Sequence, residues 1–177
     1  AVANADDEAR LKSATETWLK TFRALGGQMR CASVLGYRSL STTRTGQGPE
    51  MHELTFVTES GRIRSERRIL ETETELRIEG DTAKQELLGK SSSIDPLDAA
   101  GVVQQTLRHP VMLAGRAARG QDRYREISRR EAFGRNYAVL ERIDDPLSLQ
   151  VWVDVDSGLI RVVRSLETRS TGPVWVR

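Results

Sequence analysis

In TETELRIEG (72–80) the side-chain chemistry changes with a period of two. Thr72, Thr74, Leu76 and Ile78 point one way, and Glu73, Glu75, Arg77 and Glu79 the other. A helix, with its period of 3.6, would scatter this pattern around its circumference, whereas an extended strand separates it into two faces. One face is wet and the other covered, which is the pattern of an antiparallel sheet with a single buried side. The same period runs through the flanking sequence. Turn clusters at TRTGQGPE (43–50), ESGR (59–62) and EGDT (79–82) divide it into strands at 35–44, 51–58, 62–70, 72–79 and 83–88. In HELTFVTE the alternation assigns Leu54 and Phe56 to the apolar face. The dense charges of 62–79 then form a solvated outer face.

Residues 6–25 break this period. Leu11, Ala14, Trp18, Phe22 and Leu25 recur at three- and four-residue steps, Asp6, Asp7 and Glu8 favour the positive end of a helix dipole, and Gly26-Gly27 stops the helix. A second helix is expected at 95–107. Asp95 serves as N-cap, Pro96 fits the first turn, and Leu97, Ala100, Val102, Val103 and Leu107 form the apolar side. His109 suits the helix end as a capping cation, and Pro110 stops it. The preceding GKSSSID reads as a polar loop, able to act as a flexible lid. Strands resume at 111–118, 122–131, 136–143, 147–155 and 159–168, with a last one at 172–177, separated by ARGQ, AFGRN, DDP and DSG turns.

The segment DVDSG (154–158) resembles a calcium loop at first sight. However, Leu147, Leu149, Val151 and Val153 alternate before it, and Ile160, Val162 and Leu166 after it. Asp and Gly supply the turn geometry a hairpin needs. A calcium loop also requires an acid at its twelfth position, which here is Ser165. The segment reads as a turn, and no metal is expected.

No catalytic signature appears. His52 and His109 are the only histidines and lie in different elements, Cys31 is the single cysteine, and neither a nucleophile elbow nor a phosphate-binding glycine loop is present. The chain is therefore read as non-enzymatic and without a cofactor. Lys and Arg (27) nearly balance Asp and Glu (25), which argues against nucleic acid as a partner. No apolar run is long enough for a transmembrane helix. The length of 177 residues suits one domain, with residues 1–5 as a flexible mature N-terminus. Ala1-Val2-Ala3 and Ala3-Asn4-Ala5 have the small-x-small form that precedes signal cleavage, so export is expected.

The order of elements resembles the periplasmic outer-membrane lipoprotein carrier superfamily, the LolA/LolB-like proteins. The residues that carry the likeness are Trp18-Leu19 through Ala24-Leu25-Gly26-Gly27, with Gly36 following; then Gly134-Arg135-Asn136-Tyr137-Ala138-Val139-Leu140; and Val151-Trp152-Val153-Asp154-Val155-Asp156-Ser157-Gly158-Leu159-Ile160. The resemblance implies an α+β fold, a strongly curved antiparallel sheet (an incomplete barrel) whose concave face is covered by an N-terminal and a central helix. It further implies an exported, monomeric carrier for the acyl chains of lipoproteins or a similar apolar ligand. The alternative is an envelope protein-interaction or sensor module on the same scaffold, with a protein partner and no lipid cargo. Aromatics make up only 5% of the chain, so a cavity would be lined by aliphatic residues. The expected lining is Leu54, Phe56, Leu76, Ile78, Val139, Leu149 and Val151 from the sheet, with Val103 and Leu107 from the central helix.

Overall fold

The computed structural model describes residues 5–79, 82–145, 148–169 and 172–176. Leu147 and residues 1–4 lie outside the described residues, as do the side chains of Leu97, Ala100 and Leu166. Two helices, α1 (Ala5–Ala24) and α2 (Gln28–Ala32), lead into six strands: β1 (Gly36–Arg44), β2 (Glu50–Thr58), β3 (Ile63–Ile69), β4 (Thr72–Glu79), β5 (Thr82–Leu87) and β6 (Lys90–Ser93). Helices α3 (Pro96–Leu107) and α4 (Pro110–Ala118) follow. Strands β7 (Tyr124–Ala132), β8 (Arg135–Arg142), β9 (Gln150–Asp154), β10 (Ile160–Arg169) and β11 (Gly172–Val176) complete the chain. The fold is thus α+β, with two antiparallel sheets. One has the order β1-β2-β3-β4-β5-β6 and the other β11-β10-β9-β8-β7, and neither closes into a barrel. Among the described residues no helix is long and apolar enough to cross a membrane.

The chain divides into two compact units, residues 1–34 with 113–177, and residues 35–112. In the 35–112 unit the six strands form a simple meander. Its register aligns Val57 with Ile63, Ile63 with Ile78, and Ile78 with Ala83, an apolar row across four strands. All four are buried, and α3 lays Ala99, Val102, Val103 and Leu107 against them. The opposite face carries the charges. Arg64 pairs with Glu66 and Glu75, and Arg62 with Glu79, as the alternation in 72–79 requires.

In the other unit, α1 buries Ala14, Trp18, Thr21 and Phe22, spaced at four, three and one residues along one helical face. They meet Ala138, Leu140, Val151 and Val153 from the second sheet and Leu113 and Ala114 from α4. Trp18 stacks on Phe22 and tilts against Tyr124, with ring centroids at 5.7 and 5.0 Å. The short helix α2 is closed by Arg119, whose Nη1 donates to the carbonyls of Ala32 and Val34 at 2.9 and 2.8 Å. Register shifts between Glu126 and Ser128 and between Ile160 and Val162 interrupt the second sheet, a bulge geometry that bends a strand locally.

Two segments differ from the sequence reading. Residues 111–118, expected as a strand, lie in α4 (Pro110–Ala118). Pro110 begins this helix as well as ending the previous one, and Met, Leu, Ala and Arg are strong helix formers. Leu113, Ala114, Ala117 and Ala118 pack at helical spacing, and VMLAGRAA has no period of two. GKSSSID, expected as a loop and lid, contains β6. Leu88 and Gly89, both at positive φ (51° and 75°), turn the chain back so that Lys90 pairs with Leu87 and Ser93 with Lys84.

Candidate functional site

The apolar layer between α3 and the first sheet contains most of the expected lining. Ile78 is buried there (2% exposed), and Leu76, Val103 and Leu107 pack around it, part-exposed, with Tyr37, Ile94 and Val102. Every residue of this cluster is uncharged. Tyr37 anchors the margin. Its hydroxyl donates to the Thr106 carbonyl of α3 at 3.1 Å, tying β1 to the helix. Val57, Ile63, Tyr37 and Ala83 were missed as lining. The signal was present, since folding 51–70 about the ESGR turn brings Val57 opposite Ile63.

Leu54 and Phe56 lie on the other face. The register pairs Leu54 with Glu66 and Phe56 with Arg64. Phe56 lies under the Arg38 guanidinium, 5.4 Å from the ring centroid. The phase of β2 is therefore one residue off the sequence reading. HELTFVTE has apolar residues in both phases, and it is Val57, facing Ile63, that is buried. Leu54 instead lines an open concavity of about 660 Å³ on the charged face, together with Leu40, His52, Glu66, Arg68 and Glu75. The carboxyl of Glu75 is held below its ordinary range by its hydrogen bond from Arg77 and by the Arg64 charge.

Val139, Leu149 and Val151 belong to the unit of residues 1–34 and 113–177 and are fully buried there. Leu149 and Val151 sit in the core against α1 and α4. Val139 pairs with Trp152 across β8 and β9, on the sheet face away from Leu140. That face carries an aromatic and cationic stack absent from the sequence reading. Tyr137 tilts against Trp152 at 5.8 Å, and the Arg130 and Arg164 guanidiniums lie 5.6 and 4.9 Å from the indole. The nine expected lining residues are thus divided among an apolar layer, a charged face, a separate core and, for Val139, the sheet face opposite that core.

DVDSG is the turn between β9 and β10. Asp154 Oδ1 accepts the backbone N–H groups of Asp156 and Ser157 at 2.9 and 3.0 Å, and Oδ2 accepts Arg135 Nη1 at 2.7 Å. The Ser157 amide, then Arg135, hold this carboxyl far below the usual range. The turn's own backbone and Arg135 shield the side chain, which is 1% exposed although it lies near the surface. His109 differs from the capping cation expected. Its Nδ1 accepts the Val111 N–H at 3.3 Å, and its ring stacks on Tyr37 with centroids 4.2 Å apart. It therefore caps the start of α4 as a neutral ring. Burial against Tyr37 pushes its pKa down. The Cys31 thiol is buried, and desolvation raises its pKa, which disfavours the thiolate a nucleophile needs.

No family model and no curated protein matches the sequence. Nine chains among solved structures match. One of them, the crystal structure of MucB, is 16% identical and superposes with a TM-score of 0.31, over 93% of this chain and 56% of that one. The chain thus spans just over half the length of that structure. At the level the described residues define, this is an α+β protein of two antiparallel sheets and four helices.

Proposed function

We propose that this chain is a non-enzymatic binding protein for an acyl chain or a similar apolar molecule, exported to the periplasm, with the curved half-barrel fold of the LolA/LolB-like superfamily. The observation that supports this reading is the half-closed apolar layer of the 35–112 unit. Val57, Ile63, Ile78, Ala83 and Ala99 are buried in it, while Tyr37, Leu76, Ile94, Val102, Val103 and Leu107 keep part of their surface in water. A hydrocarbon chain laid along these residues gains about 0.8 kcal/mol per buried methylene, and an uncharged lining exacts no desolvation cost from it. Such binding needs no catalytic group.

Delipidated protein titrated with a fluorescent fatty acid tests this. Saturable binding in the micromolar range is expected, weakened severalfold by Val103→Ser or Leu107→Gln in variants whose circular dichroism is unchanged. Absence of saturable binding by the wild type rejects the reading. A second reading, an envelope protein-interaction module, draws on the charged concavity around Leu54, whose paired Arg and Glu side chains suit a peptide of mixed charge. Under that reading a defined protein is retained from an envelope extract, and the retention is lost in Arg64→Glu.

A further inference from the structure

The two edges of the first sheet are built differently. β6, at one edge, has four residues and begins with Lys90, a short, lysine-bearing strand of the kind that blunts an edge. β1, at the other edge, has nine residues and keeps an unbroken register with β2 from Gly36 to Arg44. It holds no proline, no bulge and no charge between Ser39 and Thr43. The hydrogen bonds show which of its backbone groups face outward. The Leu35 carbonyl accepts the Glu59 N–H at 2.8 Å, and the Thr58 N–H turns the other way, to the Arg62 carbonyl at 3.0 Å. In an antiparallel pair such bonds fall on every second residue. Tyr37, Ser39, Ser41 and Thr43 therefore bond to β2, while Gly36, Arg38, Leu40, Thr42 and Arg44 direct their N–H and C=O groups away from the sheet. Arg38, Leu40, Thr42 and Arg44 are all exposed, and Leu40 keeps 75% of its surface in water although it is a large apolar residue.

We infer that β1 pairs antiparallel with β1 of a second copy of this chain, about a two-fold axis at Leu40. Leu40 is the midpoint of Gly36–Arg44, so an axis there pairs the strand over its whole length. Leu40 faces Leu40 of the second copy, Arg38 faces its Thr42, and Gly36 faces its Arg44. Every residue in these pairs is an outward-facing one, so the pairs exchange N–H and C=O groups without disturbing β2. No like charges stand directly opposite. An axis at Arg38 would set that arginine against itself, and one at Ser41 would set Arg38 against Arg44, both unfavourable pairs. An axis at Ser39 would leave Arg44 with no strand residue opposite. Arg44 already holds Glu50 at 3.1 Å, and Arg38 lies over the Phe56 ring, so neither requires a carboxylate from the second copy. Within its own sheet Leu40 pairs with Leu54, so the dimer completes an apolar row of Leu54 and Leu40 from each copy. A two-fold interface also closes on itself, using the long edge of each copy and leaving only the short β6 edge. The family resemblance implies a monomer. The dimer departs from that expectation and does not depend on the apolar layer under α3 holding a ligand.

Sedimentation velocity of the full chain over a concentration series, with amide hydrogen exchange followed by NMR, tests this. Reversible dimerisation in the micromolar range is expected, because a single strand pair makes an interface at the small end of the specific range. As concentration rises, the Arg38, Leu40 and Thr42 amides gain protection, while the Ser39 and Ser41 amides are protected throughout by β2. Leu40→Lys and Leu40→Glu, both at an exposed position, each weaken association about tenfold by placing like charges across the axis. An equimolar mixture of the two variants associates more tightly than either alone. A wild type that stays monomeric at its highest soluble concentration overturns the inference, as does a dimer in which the three outward amides gain no protection. It is also overturned if Leu40→Lys dimerises as the wild type does, or if the mixture associates no better than its components, since Leu40 then does not face itself.

Discussion

His109 and Leu88 show how single side chains here depart from what their residue type suggests. His109 accepts a backbone N–H through Nδ1 and stacks on Tyr37, so it is favoured in the neutral form. A proton on Nδ1 would break the first bond and place a cation at the start of α4, where the helix dipole opposes it. Its folded pKa is lowered, so its contribution to stability is complete above the unfolded value of about 6.5 and is lost as pH falls through the folded value. Between pH 7.5 and 5 the urea midpoint of the wild type is expected to fall further than that of His109→Gln. Equal slopes would remove His109 from the linkage. Leu88 occupies a turn position at φ 51° with its side chain 73% exposed. A left-handed backbone costs a branched side chain roughly 1–2 kcal/mol, and Asn tolerates it better. Leu88→Asn is therefore expected to raise the unfolding free energy by about 1 kcal/mol. A lower urea midpoint in the variant would show that Leu88 has packing that offsets its strain.

At the scale of elements, the β9–β10 hairpin is held against α1. A Cβ added at Gly158 would lie 3.0 Å from the Lys20 carbonyl oxygen, and Gly158 sits at φ 72°. Lys20 Nζ reaches back to the Val155 carbonyl. Backbone conformation and contact both oppose a side chain here, so Gly158→Ala is expected to cost about 2 kcal/mol, with faster amide exchange in β9 and β10. Unchanged exchange there would separate the hairpin from the helix. Most strands were readable from the sequence because their turns announce themselves. ESGR and DSG mark hairpins, and the alternation in 72–79 sets both faces of β4. Phase was harder to read. Residues 52–58 have apolar side chains in both registers, and only the partner strand decides that Val57 is covered while Leu54 and Phe56 are not. α4 was hidden because Pro110 both ends one helix and begins the next, and a proline by itself does not say which.

At the scale of the whole molecule, the main helices and the antiparallel pairing followed from local pattern, whereas the division into two sheets and two units did not. Membership of a sheet is a long-range property. Leu76 sits between Glu75 and Arg77 and Val139 between Ala138 and Leu140, and neither local pattern says which sheet its strand joins. The cleft lined by Trp18, Ala117 and Tyr124 was illegible for the same reason, since its walls come from α1, α4 and β7. The apolar layer under α3 was partly legible, because Ile78, Leu76, Val103 and Leu107 carry the period of their own strand or helix.

One unit is continuous in sequence and the other is split around it. Translation therefore delivers residues 35–112 with all their strand partners already made. The greasy stripe of α1, Trp18 and Phe22 above all, leaves the ribosome without Leu140, Val151 and Val153 and must wait for the C-terminal strands. α1 is made well before the strands that cover it, and in that interval its exposed apolar side is a natural place for a chaperone to hold.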